Sequence, residues 1–138
     1  MELLHLSEKY MESLMALQTA YKQEIGEEAP TARDRESLQR AIEEGRIFFY
    51  GCVEQGRLIA CCSITPTFST FNYQRGGVFE DFYVIPAHRH TGVARKLVQY
   101  AYGESGVGSL IVGCADCDVA LYRALGFTLR LGNMLAFA

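Results

Sequence analysis

Between Val78 and Val98 the chain passes from an apolar strand, through small and polar residues, into an amphipathic helix. Gly92 and Ala94 fall in the first turn of that helix, where backbone N–H groups have no partner earlier in the chain. Such nitrogens face one point at the positive end of the helix dipole, and side chains without bulk let an anion approach them. Arg89 and Arg95 add charge beside it. The natural ligand of such a nest is a phosphate or pyrophosphate. The stretch is no Walker loop, because no Gly-Lys-Ser/Thr follows. Nor is it a dinucleotide fingerprint, which needs G-x-G-x-x-G inside a parallel βαβ unit. The same residues also suit an ordinary helix start with two solvated arginines.

Cys114-Ala115-Asp116-Cys117 has C-x-x-C spacing. Zinc would need a second ligand pair, and His88 and His90 lie upstream without the spacing such sites use. A redox motif is expected where a first strand meets its helix, not near the C-terminus. Two small, semi-buried thiols are the plainer expectation. An odd count of five cysteines, with Cys61 and Cys62 adjacent in an apolar run, argues against a disulfide framework and for a reducing cytoplasm. Thirteen Lys+Arg against sixteen Asp+Glu leave a net charge of −3, unlike a surface built to neutralise nucleic acid. No run is long and apolar enough for a membrane span, and Met1 to Glu12 lacks the order of a secretory signal.

The elements that must position these groups follow from periodicity. Leu3 to Leu6 is a short strand; Ser7 caps a helix carrying Tyr10, Leu14, Leu17 and Tyr21, which ends near Gly26. A second helix, capped by Thr31 or Asp34, sets Leu38, Ala41 and Ile42 on one face and stops at Gly45. Arg46 to Val53 and Leu58 to Thr65 are strands joined by a turn at Glu54 to Gly56, and Pro66 is expected to end the pairing. Thr67 to Gly77 reads as a loop or ragged extension, and Val78 to Ile85 as a strong strand closed by Pro86. A helix from about Gly92 to Tyr102, a strand from Ser109 to Cys114, and a helix from Asp116 to Gly126 come next. Phe127 to Leu131 and Met134 to Phe137 predict a closing hairpin around Gly132-Asn133. The 138 residues predict one α/β (α+β) domain, with a mixed sheet, antiparallel first and holding one parallel pair, and helices on both faces.

Arg89-His90-Thr91-Gly92-Val93-Ala94 resembles the Arg/Gln-x-x-Gly-x-Gly/Ala signature of the GNAT superfamily of N-acetyltransferases. It follows a strand ending Tyr83-Val84-Ile85-Pro86 and opens a helix, as in that family. Leu121-Tyr122-Arg123-Ala124-Leu125-Gly126-Phe127 is similar to the family's Leu-Tyr-x-x-x-Gly-Phe ending. The resemblance implies a mostly antiparallel sheet of six to seven strands with about four helices, and acetyl-coenzyme A as cosubstrate. Its pyrophosphate would lie at the main-chain nitrogens of Arg89, His90, Thr91, Gly92, Val93 and Ala94, with Arg95 beside it. The pantetheine arm would run along the strand edge at Phe82, Tyr83 and Val84, in a slot where this strand and the next splay apart. His90 stands where the family often has Gly, and the asparagine often found before the Leu-Tyr segment is missing around Ala115 to Cys117.

Acetyl transfer to an amine requires that the amine lose a proton, that the thioester carbonyl be polarised, and that the leaving thiolate be stabilised. Alternation sends Glu80 and Asp81 to opposite faces, and Glu80 shares the parity of Phe82 and Val84. Glu80 is the preferred base, with Asp81 its substitute if a bulge shifts the register. The N–H of Phe82 or Val84 would hold the developing oxyanion. Tyr122 resembles the family's general acid, and a phenol suits that role because a thiol titrates near its range. Direct attack in a ternary complex is expected, since no base stands beside Cys114 or Cys117. His88 reads as a solvated loop residue. Phe68, Phe71 and Tyr73 suit an acceptor pocket or, equally, packing; Glu24, Glu27 and Glu28 suit a cationic amine or a solvated acidic loop. The acceptor is a small-molecule or peptide amine, and a homodimer is common in such folds. A non-catalytic acyl-coenzyme A binding module is the alternative.

Overall fold

The computed structural model describes residues 1–138, in which β1 (Glu2–His5) leads through one 3-10 turn into α1 (Met11–Glu24). Met11, Leu14 and Leu17 form the buried stripe of α1. α2 (Ala32–Glu43) opens on a reciprocal capping box: Asp34 N–H donates to Thr31 Oγ1 at 3.1 Å, and Thr31 N–H donates to Asp34 Oδ2 at 2.8 Å. Thr31 is therefore the N-cap, and Asp34 answers it from the third position.

β2 (Phe48–Glu54), β3 (Arg57–Ser69) and β4 (Gln74–Val84) form an antiparallel run, with β1 beside β2 and the short β5 (Leu110–Val112) parallel to β4. The sheet order is β1-β2-β3-β4-β5. Pro66 does not end β3; it sits opposite Gly77, and the hairpin runs on to Ser69 and Gln74. β2 pairs only as far as Ile64, so at Pro66 the β2 side asks for no N–H donor and a proline fits.

The mixed, mostly antiparallel architecture is as the sequence predicts, but the strands number five rather than six or seven. The difference lies in the tail. Phe127 to Phe137 forms no strand; Phe127 packs against Phe79 and Tyr122, and the apolar side chains from Leu129 onward stay exposed. The last helix, α4 (Val119–Ala124), follows a 3-10 turn at Asp116–Asp118 and is capped at Asp118 rather than Asp116.

Two helices sandwich the sheet. Tyr21 of α1 stacks on Tyr83, which pairs with Cys61 across β3 and β4. Tyr100 of α3 (Val93–Ser105) meets Tyr50, which pairs with Cys62, and alternation turns Cys62 to the face opposite Cys61. The core between them includes Phe49, Tyr50, Ile64, Phe79, Leu14 and Leu97, all essentially inaccessible to solvent.

Candidate functional site

β4 and β5 pair only from Gly77–Leu110 to Phe79–Val112. Beyond Phe79, β4 continues to Val84 with no strand on that side, so the two strands part and leave an open edge. Ile85 N–H donates to Ile59 O at 3.0 Å toward β3, and alternation then points the N–H groups of Val84 and Phe82 to the open side.

Where the strands part, the register slips. Cys61 faces Tyr83 and Ser63 faces Glu80, so Asp81 and Phe82 of β4 oppose the single residue Cys62 of β3. Asp81 takes up this bulge with φ +55°, a left-handed conformation that Asp tolerates better than most residues. The bulge corrects the strict alternation expected for this strand. Phe82 joins Phe79 and Tyr122 at ring distances of 5.8 and 6.3 Å, while Glu80 and Asp81 both border one cleft of about 230 Å³. Its other walls include Tyr21, Lys22, Val112 and Tyr122.

The two carboxylates differ in their commitments. Ser63 Oγ, fully buried, donates to Asp81 Oδ2 at 2.6 Å, and Gln18 Nε2 donates to Asp81 Oδ1 at 3.3 Å. Glu80 is exposed and holds no such bond. Tyr122 is half-buried among Phe79, Phe82 and Phe127. Burial, followed by the nearby Tyr21, pushes its phenol up to about 12.

At the far end of β4 the loop reaches α3. His90 (φ +62°) and Gly92 (φ +86°) are both left-handed, which turns successive N–H groups toward one side. The backbone N–H groups of His90, Thr91, Gly92, Val93, Ala94 and Arg95 have no acceptor in the chain; that of Arg89 is taken by Pro86 O at 3.2 Å. A Cβ at Gly92 would meet nothing within 4 Å, so the approach is open. Arg95 is exposed beside it. These groups fit a pyrophosphate.

Arg89 departs from its expected place. Its guanidinium makes a bidentate pair with Glu24 of α1, at 2.8 and 2.7 Å, while Nε donates to Val84 O at 2.8 Å and the group lies over the Tyr83 ring. Its charge is therefore spent on Glu24, whose carboxyl it holds below the usual range. It also takes one carbonyl of the strand edge. His88 is likewise no solvated residue. Its Nε2 meets Glu54 Oε2 at 2.5 Å, bracing the loop against the β2–β3 turn.

The acidic group at the first helix junction is partly neutralised as well, because Glu27 pairs with Lys22 at 3.0 Å. Phe68, Phe71 and Tyr73 are solvent-exposed at the β3–β4 tip, away from the cleft lining. Cys114 and Cys117 are exposed rather than semi-buried, and the chain brings no three metal-ligating side chains together. Ser63, Gln18 and Glu54 carry no sequence signal for these contacts, and Glu24, expected to suit a cationic amine or a solvated loop, instead pairs with Arg89; each acts across a long separation that local pattern does not carry.

Comparison with known proteins gives the family and the fold. Residues 11–127 match the model of the acetyltransferase (GNAT) family. A crystal structure of a probable acetyltransferase superimposes with TM-score 0.87 at 22% identity, covering 100% of this chain and 99% of that one. An aminoglycoside acetyltransferase from an uncultured soil metagenomic sample, solved with sisomicin, gives TM-score 0.83 at 13% identity, over 99% of this chain and 94% of that one. A predicted acetyltransferase of Clostridium acetobutylicum, solved with acetyl-CoA, gives 0.77 at 17% identity, over 99% and 95%. Among curated proteins no sequence matches.

Proposed function

The chain belongs to the acetyltransferase (GNAT) family, and from that premise we propose that it is a cytoplasmic, single-domain N-acetyltransferase acting on a small-molecule or peptide amine. The observation that carries the reading is two sets of free backbone donors on one segment, the open β4 edge at Phe82 and Val84 and the nest at His90 through Arg95, with the paired N–H groups of Ile85, His88 and Arg89 between them. Two such sets a few residues apart suit a cosubstrate that is amide-rich at one end and pyrophosphate-bearing at the other, as acetyl-coenzyme A is.

When bound, acetyl-coenzyme A supplies an activated acyl group at a thioester. The chain's own groups supply the rest. An alkyl ammonium entering the cleft meets Glu80 and Asp81. Asp81 already accepts bonds on both oxygens from Ser63 and Gln18, so its part is to orient the amine. Glu80, the uncommitted carboxylate, takes the proton. The N–H of Phe82 or Val84 donates to the carbonyl oxygen as charge grows there.

Tyr122 acts on the sulfur. At about 12 its phenol is a weaker acid than an ordinary thiol near 8.5, so it stays protonated and steadies the leaving sulfur by donating a hydrogen bond rather than by surrendering its proton. That refines the general-acid role implied by the resemblance. A thiol-release assay with acetyl-coenzyme A and an amine panel tests the proposal, the expected result being turnover of at least one amine. Tight binding without turnover of any amine would instead mark a regulatory acyl-coenzyme A binding module.

A further inference from the structure

One wall of the acceptor cleft is itself an amine. Lys22, near the C-terminal end of α1, borders the cleft together with Glu80, Phe82 and Tyr122. It is the only lysine or arginine among the lining residues. The chain has two other lysines, and neither borders the cleft: Lys9 lies over the Tyr10 ring at 5.5 Å, and Lys96 belongs to α3.

The Lys22 side chain is held lightly. Its Nζ sits 3.0 Å from Glu27 Oε2, and the two side chains are 40% and 57% exposed. An ion pair so open to water gains little over hydration and side-chain entropy. The flexible stem carries the nitrogen about 6 Å from the backbone, so it can leave Glu27 and sweep the cleft. Glu27 first, and then Asp81, hold the ammonium above the usual lysine range.

We propose that Lys22 is a self-acetylation site, taking the acetyl group when acetyl-coenzyme A is bound and no acceptor fills the cleft. The inference rests on the acetyltransferase reading and adds this chain to its substrates. Lys22 Nζ passes one proton to Glu80, the uncommitted carboxylate, which returns it to water. The freed nitrogen pair forms the bond to the acyl carbon as the carbon–sulfur bond breaks. The sulfur keeps that bonding pair and takes the surplus proton of the nitrogen, leaving an amide and a free thiol. The held proton keeps the free amine scarce, but an amine already in the cleft needs no encounter. Acetylation removes the one cation of the cleft wall, so Glu27, Glu80 and Asp81 remain there without a counter-charge.

Incubating the purified chain with acetyl-coenzyme A alone, followed by peptide mass mapping, tests the site. Lys22 is expected to gain one acetyl group at least about tenfold faster than Lys9 or Lys96, at a rate independent of protein concentration. Lys22→Arg, which keeps the charge opposite Glu27, is expected to abolish this gain in mass. Glu27→Gln, which frees the ammonium, is expected to speed it severalfold. An unmodified Lys22, equal labelling of the three lysines, or labelling that Gly92→Glu leaves unchanged overturns the proposal. A parallel thiol-release assay with the amine panel separates the failures. Turnover of an added amine beside an unmodified Lys22 sinks self-acetylation alone; no thiol release in either arm sinks the acetyltransferase reading with it.

Discussion

Three side chains around the cleft are assigned separable parts, and single-atom changes tell them apart. Tyr122→Phe removes one hydroxyl from an aromatic cluster and keeps its packing. Losing one preorganised donor costs roughly 10²-fold in kcat, with acetyl-coenzyme A affinity expected within about twofold of wild type; steady-state kinetics and calorimetry read the two separately. The carboxylates part company by pH. Glu80→Gln is expected to lower kcat by about 10²-fold or more at neutral pH and to recover as the pH rises and the free amine accumulates. Asp81→Asn keeps the left-handed backbone and the bond from Ser63, so it should mainly raise KM for the amine. A pH–rate profile with the two effects exchanged would transfer the base role to Asp81.

Among the elements, the loop from Pro86 to Gly92 bears most directly on binding. Gly92→Glu sets bulk and negative charge at a left-handed position in the middle of the free N–H groups. Loss of acetyl-coenzyme A binding by at least about 10²-fold is expected in calorimetry, the cost of an unpaired like charge at a phosphate site. The melting temperature should fall by a few degrees, from the cost of a left-handed φ to a residue with a Cβ and not from a clash, since the added side chain meets nothing. Local pattern made this loop legible: small residues, a helix onset and free donors lie within a few positions. The same held for the helices and for the β2–β3 turn at Glu54 to Gly56. The Asp81 bulge was not legible, because a slip of register exists only relative to β3. Nor were the Arg89–Glu24 and His88–Glu54 contacts, whose partners are 65 and 34 residues apart. The tail failed for a related reason. Its alternation is that of a strand, but a strand requires a neighbour, and this chain's own sheet does not pair with it.

For the whole molecule, buried phenols join the buried thiols of Cys61 and Cys62, whose ionisation burial also opposes, in setting the alkaline limit. Burial raises Tyr50 and Tyr122 to about 12 each, so the folded chain holds these protons more tightly than the unfolded chain does. Their contribution to stability is complete below about pH 10 and lost as the pH climbs toward 12. Thermal melts should therefore decline over that interval, and Tyr122→Phe should make the decline shallower. The bridge between Arg89 and Glu24 has a reach beyond its own strength. It fastens the loop that would receive the pyrophosphate to the end of α1, whose Tyr21 and Lys22 wall the acceptor cleft. Order imposed on that loop by a first ligand would pass through the bridge to the helix, and the two substrates are predicted to bind cooperatively. On that prediction each would tighten the other by the same factor. Glu24→Gln, measured in a binding cycle with a slow acyl-coenzyme A analogue and the amine, should bring that factor toward one, while the analogue alone binds at least as tightly because the Arg89 charge is released beside the nest.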